Sequence, residues 1–397
     1  MSVPTSHATR AVRAALESDS QHSAVVPPIH LSSTYAFKAF GEKGAYDYSR
    51  SGNPTRDALA DALSSLEGAV GGVVTASGMA AVNTVCQLLK SDDLLIAPHD
   101  CYGGTYRLFG ALAKRGALRV EFVDQTDPAQ LAAALAKKPK LVWVETPSNP
   151  LLRIVDIRAT AAAAHAAGAL LLVDNTFLSP VWQQPLALGA DLVLHSTTKY
   201  LNGHSDVVGG AVLAATTELH EQLVWWANCI GATGAPFDSY LTLRGVRTLH
   251  ARMTVHGENA ARVADLLASH PAVARVYYPG LPTHPQHALA KQQQRGFGAM
   301  LSFELRGGIP QVQAFLHGLT CFSLAESLGG VESLVAHPAT MTHAAMDADA
   351  RHRAGMCDSL LRLSIGIEGA DDLLADLQGG LDRALATQTS HLRAAQG

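Results

Sequence analysis

Residues 169–199 read ALLLVDNTFLSPVWQQPLALGADLVLHSTTK. Two apolar runs stand out, LLLV at 170–173 and LVL at 192–194. The first ends in Asp174; the second leads into Ser196, Thr198 and Lys199. Short, continuous Leu/Val runs bounded by turn residues mark parallel strands covered on both faces. The same pattern extends outward from this stretch. GGVVTAS precedes the helix-like GMAAVNTVCQLL, DDLLIAP precedes YRLFGALAKRG, LRVEFVD precedes PAQLAAALAKK, and KLVWVETP precedes ATAAAAHAAG. Strands alternating with helices predict an α/β fold with a mostly parallel central sheet. Past a helical stretch at 257–267, ARVYYPG, AMLSFEL and LLRLSIG are strands spaced among helices, which predicts a smaller α+β C-terminal domain. Upstream, Pro27-Pro28 and Asn53-Pro54 preclude a long regular element, so the chain ahead of Arg56 reads as an extended arm. From Arg56 the spacing of Leu59, Leu63 and Leu66 turns helical.

Composition narrows the partners. The 397 residues are 48% hydrophobic and 16% charged, suited to a packed globule of two or three domains. The net charge is -4 and no basic tract occurs, so neither nucleic acid nor an acidic membrane surface is expected as a partner. The opening residues MSVPTSHATRAVRAAL lack the apolar core of a signal peptide, and no apolar run reaches membrane-spanning length. A cytoplasmic location is expected. The five cysteines are scattered without a C-x-x-C pair, and none of the 18 histidines sits in an H-E-x-x-H spacing. Neither a disulfide framework nor a metal centre is expected.

Ligands of open α/β sheets bind beyond the carboxyl ends of the strands, where this chain places its reactive groups. Asp174 follows one strand and Lys199 another, giving a carboxylate and an amine a common rim. That pair suits pyridoxal 5'-phosphate (PLP): an amine forms an imine with the aldehyde, and a carboxylate keeps the pyridine nitrogen protonated. Lys199 taken alone also reads as a solvated loop residue. Asp174 does so less readily, because an unpartnered carboxylate behind an apolar run costs several kcal/mol. Ser77-Gly78-Met79 lies between a strand and an amphipathic helix, where free amides and the helix dipole favour a phosphate; an ordinary N-cap is the plainer reading. Ser196 and Thr198 offer hydroxyl donors. The tetrad Ser196-Thr197-Thr198-Lys199 also fits the S-x-x-K motif of serine acyl enzymes, but the S-D-N and K-T-G that accompany that motif are missing.

The stretch from Val173 to Gly210 resembles the PLP-lysine region of the Cys/Met-metabolism (transsulfuration) enzymes. YDYSRSGNPTR at 46–56, PHDCYGGTYRLF at 98–109, VETPSNPLL at 144–152, AESLGGVESL at 325–334 and LLRLSIGIE at 360–368 match in order. The likeness runs from about Val26 to the C-terminus and is strongest to the bacterial γ-replacing synthases of the family. It implies the type I, aspartate-aminotransferase-like fold, with an N-terminal arm at 1–49, a PLP domain at 50–257 and a C-terminal domain at 258–397. It implies a homotetramer of two active dimers acting on small amino acids. By resemblance, Lys199 would be the Schiff-base lysine and proton shuttle, Asp174 the partner of the pyridine nitrogen, and Tyr102 the residue stacked on the ring. Gly78, Met79, Ser196 and Thr198 would bind the phosphate, with Tyr48 and Arg50 reaching the phosphate of the neighbouring subunit. Arg362 would bind the substrate α-carboxylate, supported by Asn149 and Ser327, while Glu326, Asp47 and Arg107 would lie toward the distal end of the substrate. The implied reaction is γ-replacement, in which O-succinyl-L-homoserine and L-cysteine give cystathionine and succinate. Cystathionine γ-lyase and O-acetylhomoserine sulfhydrylase activities stay open as alternatives.

Overall fold

The computed structural model describes residues 5–342, 351 and 354–394. Seven strands form the larger sheet: β1 (Gly71–Thr75), β2 (Leu94–Pro98), β3 (Arg119–Val123), β4 (Leu141–Glu145), β5 (Leu170–Asp174), β6 (Leu192–His195) and β7 (Gly210–Ala214). Their spatial order is β1-β7-β6-β5-β4-β2-β3, and β7 alone runs against the others. The four strand–helix pairs read from the sequence are present, as are the strands at 170–173 and 192–194. The antiparallel β7 lies outside that reading, because GAVLA opens on the second residue of the Gly209-Gly210 pair and lacks the strand–helix pattern that marks the rest.

Alternate side chains of these strands enter different layers, as the two-residue repeat of a strand requires. Leu172, Leu192, Leu194 and Trp143 pack on one face. Leu171, Val173, Val142 and Val144 pack on the other. β2, β4, β6 and β7 are buried along their whole length, which is why their sequences are apolar without alternation.

A second sheet contains β8 (Val273–Tyr277), β9 (Met300–Leu305), β10 (Phe322–Leu324), β11 (Ser333–Ala336) and β12 (Leu360–Ser364), in the order β10-β11-β12-β9-β8. A 21-residue helix, Leu249–Ser269, joins the two sheets and runs unbroken across residue 257. Buried Arg252 on this helix donates to the Tyr200 carbonyl at 2.8 Å, His256 Nδ1 lies 2.6 Å from the Ile365 carbonyl, and Asn259 donates to the Gly366 carbonyl at 3.1 Å. One rod therefore bonds the residue after Lys199 and the end of the strand that carries Arg362.

The N-terminal segment opens with a short helix, His7–Val12, docked through His7 Nε2 on the Leu66 carbonyl at 2.9 Å. Beyond it the chain is irregular up to Asn53. Asn53-Pro54 starts a helix rather than only interrupting one. The Asn53 side chain accepts from the amides of Thr55 and Arg56, Pro54 occupies the first turn, and the helix Pro54–Glu67 ends at Gly68 with φ +77°. No helix among the described residues is long and apolar enough to cross a membrane.

Candidate active site

The carboxyl ends of β4, β5 and β6 meet the C-terminal sheet at a rim where most of the candidate residues converge. Asp174 ends β5. Its Oδ1 accepts from the Thr176 amide at 3.0 Å and the Thr176 hydroxyl at 2.5 Å. The same hydroxyl accepts from the Ser196 amide at 2.9 Å, so Thr176 links the ends of β5 and β6. Burial pushes the Asp174 carboxyl above the usual range; the Thr176 bonds and nearby His195 pull it down. No Lys or Arg among the described residues pairs with it. A half-buried carboxylate in this state fits a protonated ring nitrogen.

Lys199 follows β6 and is largely enclosed. Its Nζ donates to Ser327 Oγ at 2.6 Å. Burial first, then the positive charge of Arg362, lowers its pKa to about 8, against the opposing pull of Glu326. An amine so placed loses its proton more readily than a solvated lysine, as imine formation requires. Ser327 is a non-glycine residue at φ +86°, a backbone conformation that costs roughly 1–3 kcal/mol. Its carbonyl accepts from Arg362 Nη2 at 2.9 Å.

Arg362, at the centre of β12, is only 3% exposed. Its Nη1 donates to Asn149 Oδ1 at 3.0 Å, while its buried Nε has no partner. Burial lowers its pKa to about 10. No carboxylate among the described residues forms an ion pair with it. The guanidinium is thus held in orientation by two neutral oxygens and left with donors to offer, an arrangement suited to a carboxylate ligand.

The phosphate side is built at the start of helix Gly78–Cys86. The Ser77 hydroxyl caps Ala80 and the Ser77 carbonyl accepts from Ala81, so the cap does not use the amides of Gly78 and Met79. A Cβ on Gly78 would come within 3.0 Å of Ser196 Cβ, so glycine lets the helix start approach Ser196. The Thr198 hydroxyl exchanges bonds with the backbone of Gly209, donating at 3.1 Å and accepting at 3.0 Å. Tyr102, partly exposed, precedes helix Gly103–Lys114 with its ring against Gly104, where a Cβ would sit 2.5 Å from a ring carbon. These residues fit PLP: an enclosed amine, a half-buried carboxylate without a Lys or Arg partner among the described residues, and amides at a helix start that the cap leaves free.

Five candidates stand outside the hydrogen bonds of this cluster among the described residues of the single chain. Arg50 donates to the Asn228 carbonyl at 2.8 Å and to Asn228 Oδ1 at 2.7 Å, and its guanidinium lies over the Tyr48 ring. Asp47 accepts from the Tyr48 amide and pairs with Lys43 at 3.6 Å. Arg107 is exposed on the helix that starts after Tyr102. Glu326 is exposed but close enough to act electrostatically on Lys199 and Arg362.

Sequence reasoning misses Glu145 and Thr176. Glu145 ends β4 in register with Asp174 on β5, and burial together with that neighbouring carboxylate holds it well above the usual range. A signal for it exists: LVWVE has the same form as LLLVD, an apolar strand ending in an acid.

The family model for Cys/Met metabolism PLP-dependent enzymes matches residues 8–382. Cystathionine γ-synthase of Escherichia coli K12 is 59% identical over 378 residues, covering 95% of this chain and 98% of that protein. Cystathionine γ-lyase of Dictyostelium discoideum is 48% identical, covering 94% and 97% respectively. The crystal structure of cystathionine γ-synthase from Xanthomonas oryzae pv. oryzae, in complex with aminoacrylate and cysteine, superposes with a TM-score of 0.96 at 63% identity. That match covers 97% of this chain and all of the other.

Proposed function

Because the chain belongs to the PLP-dependent enzymes of Cys/Met metabolism, we propose that it catalyses the cystathionine γ-synthase reaction, joining O-succinyl-L-homoserine and L-cysteine with release of succinate. The observation that carries an α-amino-acid substrate is Arg362, buried, without a carboxylate partner among the described residues, and joined through Ser327 to Lys199. Replacement rather than elimination is supported by the likeness to the two γ-synthases over nearly the whole chain.

Bound PLP supplies an electron sink that makes the Cα and Cβ protons removable and the γ-substituent a leaving group. The chain's own residues do the rest. Arg362 binds the α-carboxylate, with Asn149 Oδ1 and the Ser327 carbonyl fixing its plane. Lys199 Nζ, eased toward the neutral amine by burial, takes the proton from Cα and serves Cβ in turn. Ser327 Oγ holds that amine within reach. Asp174 would retain the proton on the ring nitrogen, Tyr102 would lie against the ring, and Gly78, Met79, Ser196 and Thr198 would hold the phosphate. Arg107 meets the succinyl carboxylate, with Glu326 and Asp47 toward the same distal end. Acetyl lacks that charge, so O-acetylhomoserine should lose roughly 1.5–3 kcal/mol, about ten- to a hundred-fold in kcat/KM.

We further infer a homotetramer of two active dimers in the cytoplasm, with an arm at 1–49, a cofactor domain at 50–257 and a C-terminal domain at 258–397. The arm exposes Val25, Leu31, Phe37 and Phe40, apolar side chains suited to a neighbouring subunit. Tyr48 at its end and Arg50 just past it are the residues it would deliver to the partner's phosphate.

The deciding assay supplies O-succinyl- or O-acetylhomoserine with and without cysteine and follows cystathionine and α-ketobutyrate. Faster synthesis than cleavage of cystathionine supports the reading. Cleavage exceeding synthesis at equal saturation would replace it with a γ-lyase.

A further inference from the structure

We propose that Glu145 is a positioning residue, which locks the loop bearing Tyr102 to the loop bearing Asn149 and so sets the aromatic ring relative to the Arg362 clamp. Its two carboxylate oxygens are divided between the loops. Oε2 accepts from the Tyr102 amide at 2.9 Å, and Oε1 accepts from the Asn149 amide at 3.0 Å. The Asn149 side chain carries the link onward by accepting from Arg362 at 3.0 Å. A continuous path of three hydrogen bonds thus runs from the backbone of Tyr102 to the guanidinium.

Packing alone does not account for a carboxylate here. Glu145 is 6% exposed and has a second acid, Asp174, as its register partner, so both burial and like charge oppose it. An apolar side chain would fill the space at lower cost but could not accept from two backbone donors at once. The loops also have an independent tie. Asp100 Oδ2 accepts from the Ser148 hydroxyl at 2.8 Å and from Arg153 Nη1 at 2.7 Å, touching neither the Tyr102 nor the Asn149 amide. Glu145 can therefore be altered without releasing the loops from one another. What it governs is fine alignment, where an error of about 1 Å costs on the order of 100-fold in rate.

This inference rests on the reaction proposed for the Lys199 site. The test uses Glu145→Gln, which keeps size and one acceptor oxygen but sets an amide NH2 against one backbone N–H, with Glu145→Ala as the stronger lesion. The holoenzymes are compared by thermal midpoint, visible circular dichroism of bound PLP, hydrogen exchange at the Tyr102 and Asn149 amides, and kcat and KM for cystathionine synthesis. We expect E145Q to melt close to wild type, with altered circular dichroism, about ten-fold faster exchange at one of the two amides, and a ten- to hundred-fold fall in kcat/KM. Unchanged circular dichroism and kcat/KM in E145Q overturn the proposal. So does a lowered melting point with normal circular dichroism and normal activity per folded holoenzyme, which makes Glu145 merely structural. If the wild type binds PLP but makes no cystathionine, the reaction assignment fails, and circular dichroism with exchange still decides the role of Glu145.

Discussion

Lys199 Nζ donates to Ser327 Oγ at 2.6 Å, while the carbonyl of the same serine accepts from Arg362. The two contacts use different parts of one residue, so they can be separated. Ser327→Ala removes the hydroxyl and leaves the carbonyl. We expect kcat to fall about ten-fold, equivalent to ~1.4 kcal/mol, with KM for the acylhomoserine nearly unchanged. Steady-state kinetics checks this, and a change confined to KM would contradict it.

The lowered pKa of Lys199 has a consequence for stability. In the apo form the folded amine titrates near 8, against about 10.4 in an unfolded chain. Between these values the unfolded state holds the extra proton, so stability rises with pH across the window. The contribution is fully present above about 10.4 and is lost as pH falls to about 8. Urea unfolding of apo wild type from about pH 8 to 10 should therefore gain stability relative to Lys199→Ala. That variant should also lose the visible absorbance of bound cofactor and its turnover; turnover at the wild-type rate would sink the assignment of Lys199.

Arg362→Lys keeps a positive charge but not the planar fork, and its single nitrogen cannot serve Asn149, Ser327 and a carboxylate together. We expect kcat/KM to drop by about 2 kcal/mol or more, roughly thirty-fold, for any amino-acid substrate. Arg362→Ala should be worse, because it also leaves the buried Asn149 Oδ1 without its donor. Kinetics on two substrates with different side chains checks that the loss is common to both.

Arg50 lies on Asn228 of its own chain, outside the Lys199 cluster. If arms are exchanged between subunits, mixing inactive Arg50→Ala with inactive Lys199→Ala chains should restore part of the activity, since one composite site in a mixed dimer is intact. Absence of recovery after verified exchange of subunits would remove Arg50 from the partner's site.

The sequence is most legible where one rule carries both fold and chemistry. Leu171 and Val173 enter one layer and Leu172 the other, so the run that predicts a buried strand also predicts Asp174 at its rim. Arg362 is legible only through family resemblance, because an arginine within LLRLS looks the same whether it faces solvent or a ligand. β10 and β11 escape notice at three and four residues, too short for a periodic signal. Glu145 is missed for a different reason: its partners, the amides of Tyr102 and Asn149, are backbone groups that no side-chain motif advertises. The helix at His7–Val12 likewise depends on a distant acceptor, the Leu66 carbonyl.

The helix Leu249–Ser269 bonds the Tyr200 carbonyl through Arg252 and the Ile365 carbonyl through His256. Four residues of helix span only about 6 Å, so the amine of Lys199 and the guanidinium of Arg362 are mounted on opposite jaws of a short, stiff caliper. Every α-amino acid presents the same distance between its carboxylate and its Cα. A fixed gauge therefore suits that invariant end of the substrate, and leaves discrimination among side chains to the parts of the site that lie off the gauge.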